Sequence, residues 1–430
     1  MEKIVINGGR PLYGDIEVSG MKNAAGAILI ATLLVSDKCI IENLPCINDV
    51  ATTLEILRHM NVEVRMLDKN TVEIDTRNAI GGTSPLDLVR RMRSSYYLYG
   101  AELGRYGRAY AGYPGGCDFG VRPIYQHIKG FEALGATVTC EGGYVEAVAP
   151  SGGLRGANIF FDLNTVGGTI NVMLAAVRAK GTTIIENAAR EPHVVDVANF
   201  LNTCGANITG AGTDTIRIKG VDKLKGCTYA IIPDMIEAGT YMIAAAATKG
   251  RLRIKNVIPK HLESISAKLE EMGVSVEMGD DYVTVWRDGP LYRVNVKTLP
   301  YPGFPTDMQP QMCVLMCLAD GVSYLNESIF ENRFRYVEEL KRMGANIKVD
   351  GRTAIIEGGT PLSAAQVHAH DLRAGAALVI AGLATEGRTE IEEIQHIERG
   401  YDNLVGKLQS VGADIRKVIL PDSYGLAKAN

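Results

Sequence analysis

The stretch Tyr113-Pro114-Gly115-Gly116-Cys117-Asp118-Phe119-Gly120-Val121-Arg122-Pro123 places one thiol five residues before a guanidinium. Its glycines and prolines exclude a regular helix or strand. A cysteine beside cationic groups loses its proton more readily and serves as nucleophile or proton donor. An arginine nearby suits phosphate or carboxylate. A glycine-rich surface turn with an incidental cysteine accounts for the same residues. Further on, Asp307 sits in the rigid turn Pro302-Gly303-Phe304-Pro305-Thr306-Asp307-Met308-Gln309 that opens a helix, either as a functional carboxylate or as a helix cap. Lys22-Asn23 stands where a strand meets a helix, and reads as an anion site or as a surface lysine. Arg333 lies in Phe330–Phe334, and Arg373 and Arg399 are each read at a helix start, where a cation makes a poor cap. Three arginines so placed suggest an anion between them, with salt bridges to Glu331, Asp371 and Glu398 as the alternative.

Other candidates carry less chemistry. Arg90, Arg91 and Arg93 precede Tyr96-Tyr97-Leu98-Tyr99, but helical spacing and a net charge of −4 favour a helix face over nucleic-acid stacking. His127 faces a ligand or packs. His368 and His370 find only Asp371 beside them, so no metal is expected. Cys313 and Cys317, four apart on an apolar helix, read as core.

The elements that position these residues form a repeat. An amphipathic stretch, then glycine or asparagine, then a β-rich run recurs around Asn61, Gly135, Gly205, Gly273, Gly344 and Gly412, at intervals of about 70 residues. Glycine there ends the helix by taking the left-handed conformation, and β-branched residues begin a strand. A second β-rich run precedes the first, as in 39–43, 182–187, 252–256 and 389–394. Before it comes a helix that is apolar nearly all round: 24–34, 169–179, 239–248, 310–318 and 374–384. The pattern predicts an α/β protein with buried inner helices and strands outside, its six units split three and three. The expected domains are 22–231, carrying the cysteine loop, and 1–21 with 232–430, with a strand over about 3–18 returning to the second domain and the active site in the cleft between the two.

The composition is that of a globular protein, 46% hydrophobic and 22% charged, and its length calls for more than one core. Eight cysteines without a CxxC pair fit a reducing compartment. The longest apolar run falls short of a membrane span, and no signal peptide is read, so a cytoplasmic protein is expected.

Taken together, Lys22-Asn23, Pro114-Gly115-Gly116-Cys117 with Arg122-Pro123, Gly303–Gln309, Glu331-Asn332-Arg333-Phe334, Asp371-Leu372-Arg373 and Arg399-Gly400-Tyr401 resemble the UDP-N-acetylglucosamine 1-carboxyvinyltransferases, a family of enolpyruvyl transferases. The resemblance runs over about residues 1–418. It implies two inside-out α/β barrel-like domains, each of three βαβαββ-type units. It implies transfer of enolpyruvate from phosphoenolpyruvate to the 3-hydroxyl of UDP-N-acetylglucosamine, the first committed step of peptidoglycan precursor synthesis. By family position Cys117 is the general acid and the target of the epoxide fosfomycin, and Asp307 is the base. Lys22, Arg122 and Arg399 hold phosphate, and Arg333 and Arg373 the carboxylate. Asn23, Arg93, Arg122, Pro123, Ile124, Tyr125, Gln126, Asn164, Thr165, Val166, Gly167, Asp307 and Ile329 bind substrate. No cofactor, metal, nucleic acid or membrane is implied. The chain departs from the family pattern at Met21, Gly26, Asp118-Phe119, Tyr125-Gln126 and Thr165. Transfer to another uridine nucleotide or hydroxyl acceptor, and a non-catalytic nucleotide-sugar binding protein, are the alternatives.

Overall fold

The computed structural model describes residues 2–116 and 123–419. Cys117 and Arg122 therefore lie outside the described residues, as does the polar tail. The chain divides into two compact units: Ser19–Asp234 with Pro300–Pro302, and Met1–Val18 with Met235–Leu299 and Gly303–Asn430.

The repeat is visible in the backbone. Asn61, Gly135, Gly205, Gly273, Gly344 and Gly412 all have positive φ, between 60° and 101°. Each follows the last turn of a helix and precedes an antiparallel strand pair, as the residue types require. The inner helices are Lys22–Ala31, Tyr97–Tyr106 and Val166–Ala176 in one unit, and Met235–Ala247, Gln309–Cys317 and Leu372–Ala384 in the other. All thirteen residues of Met235–Ala247 and all nine of Gln309–Cys317 are buried. The three inner helices of that second unit pack pairwise on one another. The strands alternate buried and exposed residues, as in Thr215–Lys219, so each sheet covers helices with one face and meets water with the other. This is the two-domain inside-out α/β fold, with six separate sheets and no closed barrel among the described residues.

Five sheets share one order: a parallel edge strand, then three antiparallel strands. The sixth, Arg108–Gly112, Tyr144–Val148 and Thr137–Glu141, has three strands among the described residues and no parallel edge. Side chains of the inner helix serve that edge instead. Glu102 accepts the Tyr110 backbone N–H (3.0 Å) and that of Gly82 (3.1 Å), and the Tyr99 hydroxyl donates to the Gly112 carbonyl (2.7 Å). Burial pushes the Glu102 carboxyl up to about 7, against the two backbone donors.

The amino-terminal segment is two strands rather than one over 3–18. Glu2–Gly8 and Tyr13–Glu17 join different sheets of the same unit. The chain turns at Gly8-Gly9 because it passes under the Leu372–Ala384 helix: a Cβ on Gly8 would lie 1.9 Å from the Gly382 carbonyl oxygen.

Candidate functional site

In the unit that contains Asp307, the candidate residues gather where inner helices begin. Asp307 lies in the 3₁₀ turn Thr306–Met308, just before Gln309–Cys317. It does not cap that helix; Met308 is the N-cap residue, without a side-chain bond. Its two carboxylate oxygens are divided between two guanidiniums. Arg333 Nη2 donates to Oδ1 (3.1 Å) and Arg373 Nη2 to Oδ2 (3.1 Å). The arginine side chains are 1% and 3% exposed, whereas that of Asp307 is 26% exposed. Charged hydrogen bonds of this kind fix the carboxylate rather than merely neutralise it.

The supports of this group are equally ordered. Asp371 caps Leu372–Ala384 by accepting the Arg373 and Ala374 backbone N–H groups (2.9 Å each), which sets Arg373 in the first turn. The Arg373 guanidinium lies 5.4 Å from the Tyr401 ring. The Tyr401 hydroxyl bonds Thr240 (2.8 Å), and Gln311 Nε2 donates to that hydroxyl (3.3 Å) and to the Asp307 carbonyl (3.0 Å). Glu327, 1% exposed, accepts from Thr298, Thr306, and the Ile329 and Phe330 backbones. It thereby holds the Ile329 turn beside the residue that Arg333 Nη1 also meets, Thr306 (3.3 Å). Arg399 ends the 3₁₀ helix Ile394–Arg399 instead of starting a helix, because the chain turns out at Gly400 and the next helix begins only at Leu404.

The other unit builds a second group. Lys22 opens Lys22–Ala31, its backbone N–H donating to Asp234 (3.2 Å) and its ammonium paired with Asp49 (2.9 Å). Its side chain is 15% exposed, so it is not a loose surface lysine. Asn23 follows it in the first turn, half-buried. Tyr96 is the hub of the remainder. Its ring lies 4.9 Å from His127, with the Arg93 guanidinium 5.4 Å from its centre. A Cβ on Gly167 would come within 2.3 Å of its hydroxyl. Asn171 donates to the Tyr96 carbonyl (2.9 Å) and stands 2.8 Å from His127 Nδ1. Because the amide N–H₂ donates, Nδ1 accepts and Nε2 carries the proton. Thr165 caps Val166–Ala176 through the Gly168 N–H (3.0 Å), and Asn164 donates to the Ala188 carbonyl (3.3 Å). The Tyr125–Ala133 helix starts beside them: Pro123 is exposed and Ile124 buried. Tyr125 is 44% exposed, while Gln126 is buried and donates to Asp162 (3.3 Å).

Burial, with the Arg93 charge second, pushes the His127 imidazole down to about 3. The unfolded chain therefore binds a proton below about 6.5 that the native protein refuses, and stability falls as pH drops from 6.5 toward 3. Between pH 7.5 and pH 5 this one group is expected to cost about 2 kcal/mol. Asp196, whose carboxyl burial raises to about 6, acts in the opposite sense. The readout is therefore the difference between wild-type and His127→Gln urea midpoints at the two pH values. Equal pH dependence in the two proteins would refute the assignment.

The EPSP synthase (3-phosphoshikimate 1-carboxyvinyltransferase) family model matches residues 6–408. The chain belongs to the EPSP synthase family. Within it, the chain is 59% identical to UDP-N-acetylglucosamine 1-carboxyvinyltransferase 3 of Caldanaerobacter subterraneus subsp. tengcongensis, over 97% of this chain and all of the relative. It is 57% identical to UDP-N-acetylglucosamine 1-carboxyvinyltransferase 2 of Clostridium acetobutylicum, over 97% and 99%. The enolpyruvyl transferase NikO of Streptomyces tendae superposes with a TM-score of 0.88 at 28% identity, covering 98% of this chain and 99% of that one. EPSP synthase of Acinetobacter baumannii, at 19% identity and a TM-score of 0.75 over 97% and 100%, shares the fold.

For this EPSP synthase family member, sequence reasoning missed the residues that hold others in place. Glu327, Asp49 and Asn171 carry no motif of their own, and Tyr96 shows in the sequence only as part of an aromatic run on a helix face. A polar residue inside an otherwise apolar stretch, as Asn171 is within Ile170–Ala176, was the available signal. His368 and His370 meet Glu392 (3.4 Å) and Glu339 (3.1 Å), which accounts for both imidazoles.

Proposed function

We propose that this enzyme transfers the enolpyruvyl group of phosphoenolpyruvate to the 3-hydroxyl of UDP-N-acetylglucosamine, releasing phosphate in the first committed step of peptidoglycan precursor synthesis. Near full-length likeness to enzymes of that name is the observation that carries the reading. In this scheme Cys117 protonates the methylene carbon of phosphoenolpyruvate, and the sugar hydroxyl adds to the neighbouring carbon. Asp307 takes the hydroxyl proton; its fixed oxygens, partly open to solvent, support that role. The tetrahedral adduct then loses phosphate and a methyl proton to give the enol ether.

Lys22, Arg122 and Arg399 stabilise the phosphate, and Arg333 and Arg373 the carboxylate. Asn23, Arg93, Pro123, Ile124, Tyr125, Gln126, Asn164, Thr165, Val166, Gly167 and Ile329 serve the nucleotide sugar. Gln126 is buried with its amide N–H₂ donating to Asp162, whereas Tyr125 is exposed. No helix among the described residues is long and apolar enough to cross a membrane. Cytoplasmic placement is proposed from the substrates. The enzyme as it stands is to be given phosphoenolpyruvate with UDP-N-acetylglucosamine, UDP-glucose or shikimate 3-phosphate, and phosphate release and product mass followed. Release with the first alone is expected. Release only with another acceptor would overturn the substrate, and none with any would overturn transfer itself.

A further inference from the structure

Cys39, Cys204 and Cys227 bring their sulfurs within 4.8 Å of one another. Three separate elements deliver them. Cys39 is on the Lys38–Glu42 strand, Cys204 ends the Pro192–Thr203 helix, and Cys227 precedes the Thr228–Ala230 strand. Main-chain bonds lock those elements together. The Ile40 N–H donates to the Cys227 carbonyl (2.9 Å), and the Lys225 N–H to the Cys204 carbonyl (2.8 Å). Cys39 and Cys204 are 0% and 1% exposed, and Cys227 is half-buried, so the group has a closed floor and one accessible edge. The Cys204 and Cys227 sulfurs are 3.4 Å apart, near contact without a bond.

We infer that these three thiols form a binding site for a thiophilic metal ion. The donor set contains sulfur only, which selects soft ions such as cadmium, zinc or monovalent copper over magnesium or calcium. The size is right: with metal–sulfur bonds of about 2.3 Å, a three-sulfur ring places its sulfurs about 4 Å apart. The backbone lock means that little need move to close on the ion. Each thiol that binds gives up its proton to solvent, so a divalent ion with three thiolates carries one net negative charge. The accessible edge at Cys227 leaves room for a water as a further ligand. The ion would staple two strands and a helix end within one unit, and so raises that unit's stability by mass action.

The test is titration of the reduced, oxygen-free protein with cadmium ion alone, following sulfur-to-cadmium charge-transfer absorption. One equivalent with the intensity of three thiolates is expected. Cys227→Ser should weaken binding at least about 100-fold, since losing a ligand exceeds the usual cost of losing an outer-shell partner. Cys46→Ser and Cys117→Ser should leave that band unchanged. A second measurement needs no variant: alkylation of wild-type protein, read by mass spectrometry, should show bound cadmium shielding Cys227, the half-buried member of the three, while the buried Cys39 and Cys204 stay unlabelled throughout. Unchanged affinity in Cys227→Ser, or shielding of other cysteines instead, overturns the site. So does a Cys204–Cys227 disulfide that forms in air without any ion uptake after reduction.

Discussion

Asp307→Ala is expected to lower kcat by about 100- to 10,000-fold, the range for loss of a positioned general base. The geometry makes the loss hard to repair. Two buried guanidiniums aim at this carboxylate, one at each oxygen, so its removal takes a charged partner from each. Asp307→Asn keeps the volume but turns an N–H₂ group toward one arginine, setting donor against donor. It should lose nearly as much activity as alanine, and both variants should lose stability. The alanine variant should lose about 2 kcal/mol, less than the roughly 3–5 kcal/mol for breaking a fully buried pair, because Asp307 is a quarter exposed. Phosphate release at saturating substrates, with urea unfolding in parallel, separates the two effects. An Asp307→Asn enzyme within about threefold of wild-type kcat would show that the carboxylate is structural and not the base.

Gly115→Ala is expected to cost about 100-fold in activity while leaving the thiol of Cys117 in the chain. A Cβ at this position would lie 1.5 Å from the Arg90 carbonyl oxygen and 2.4 Å from its carbon. That is main chain and cannot swing aside. The approach to the cysteine must therefore shift, and displacement of a reacting group by about 1 Å can cost 100-fold. Gly116 adds to the constraint, with φ +103° and a Cβ position 3.1 Å from that of Arg93. The matched comparison is Cys117→Ala. Both should lose phosphate release, Cys117→Ala should keep a near-native unfolding midpoint while Gly115→Ala lowers it, and only Gly115→Ala should still react with a thiol reagent at Cys117. Wild-type activity in Gly115→Ala would mean that the contact with Arg90 does not set the thiol's position.

The repeat was legible because its signal is written in residues with few alternatives. Six glycine or asparagine positions at left-handed turns cannot be supplied by most side chains, and the structure has positive φ at each. Five inner helices were legible because alanine, leucine and methionine cover their whole circumference. The sixth, Tyr97–Tyr106, was read only as a helix face, since Glu102 and Arg105 make it look amphipathic. Its carboxylate is in fact turned to backbone groups that no local pattern announces. The Asp307, Arg333 and Arg373 positions and their common site were legible through the resemblance, but the direct pairing of the carboxylate with both guanidiniums was not, because 26 and 66 residues separate the partners. Arg399 misled because an arginine before glycine says nothing of which end of a helix it occupies.

The sheet without a parallel edge bears on how freely this chain can change. In five sheets the edge is closed by main-chain atoms, which every residue type supplies equally. Those edge positions tolerate drift in sequence. In the sixth, closure depends on a carboxylate at 102 and a phenol at 99. The same architectural task is thus robust to substitution in five copies and brittle in one. That copy also leads, through Gly112 and Tyr113, into the cysteine loop.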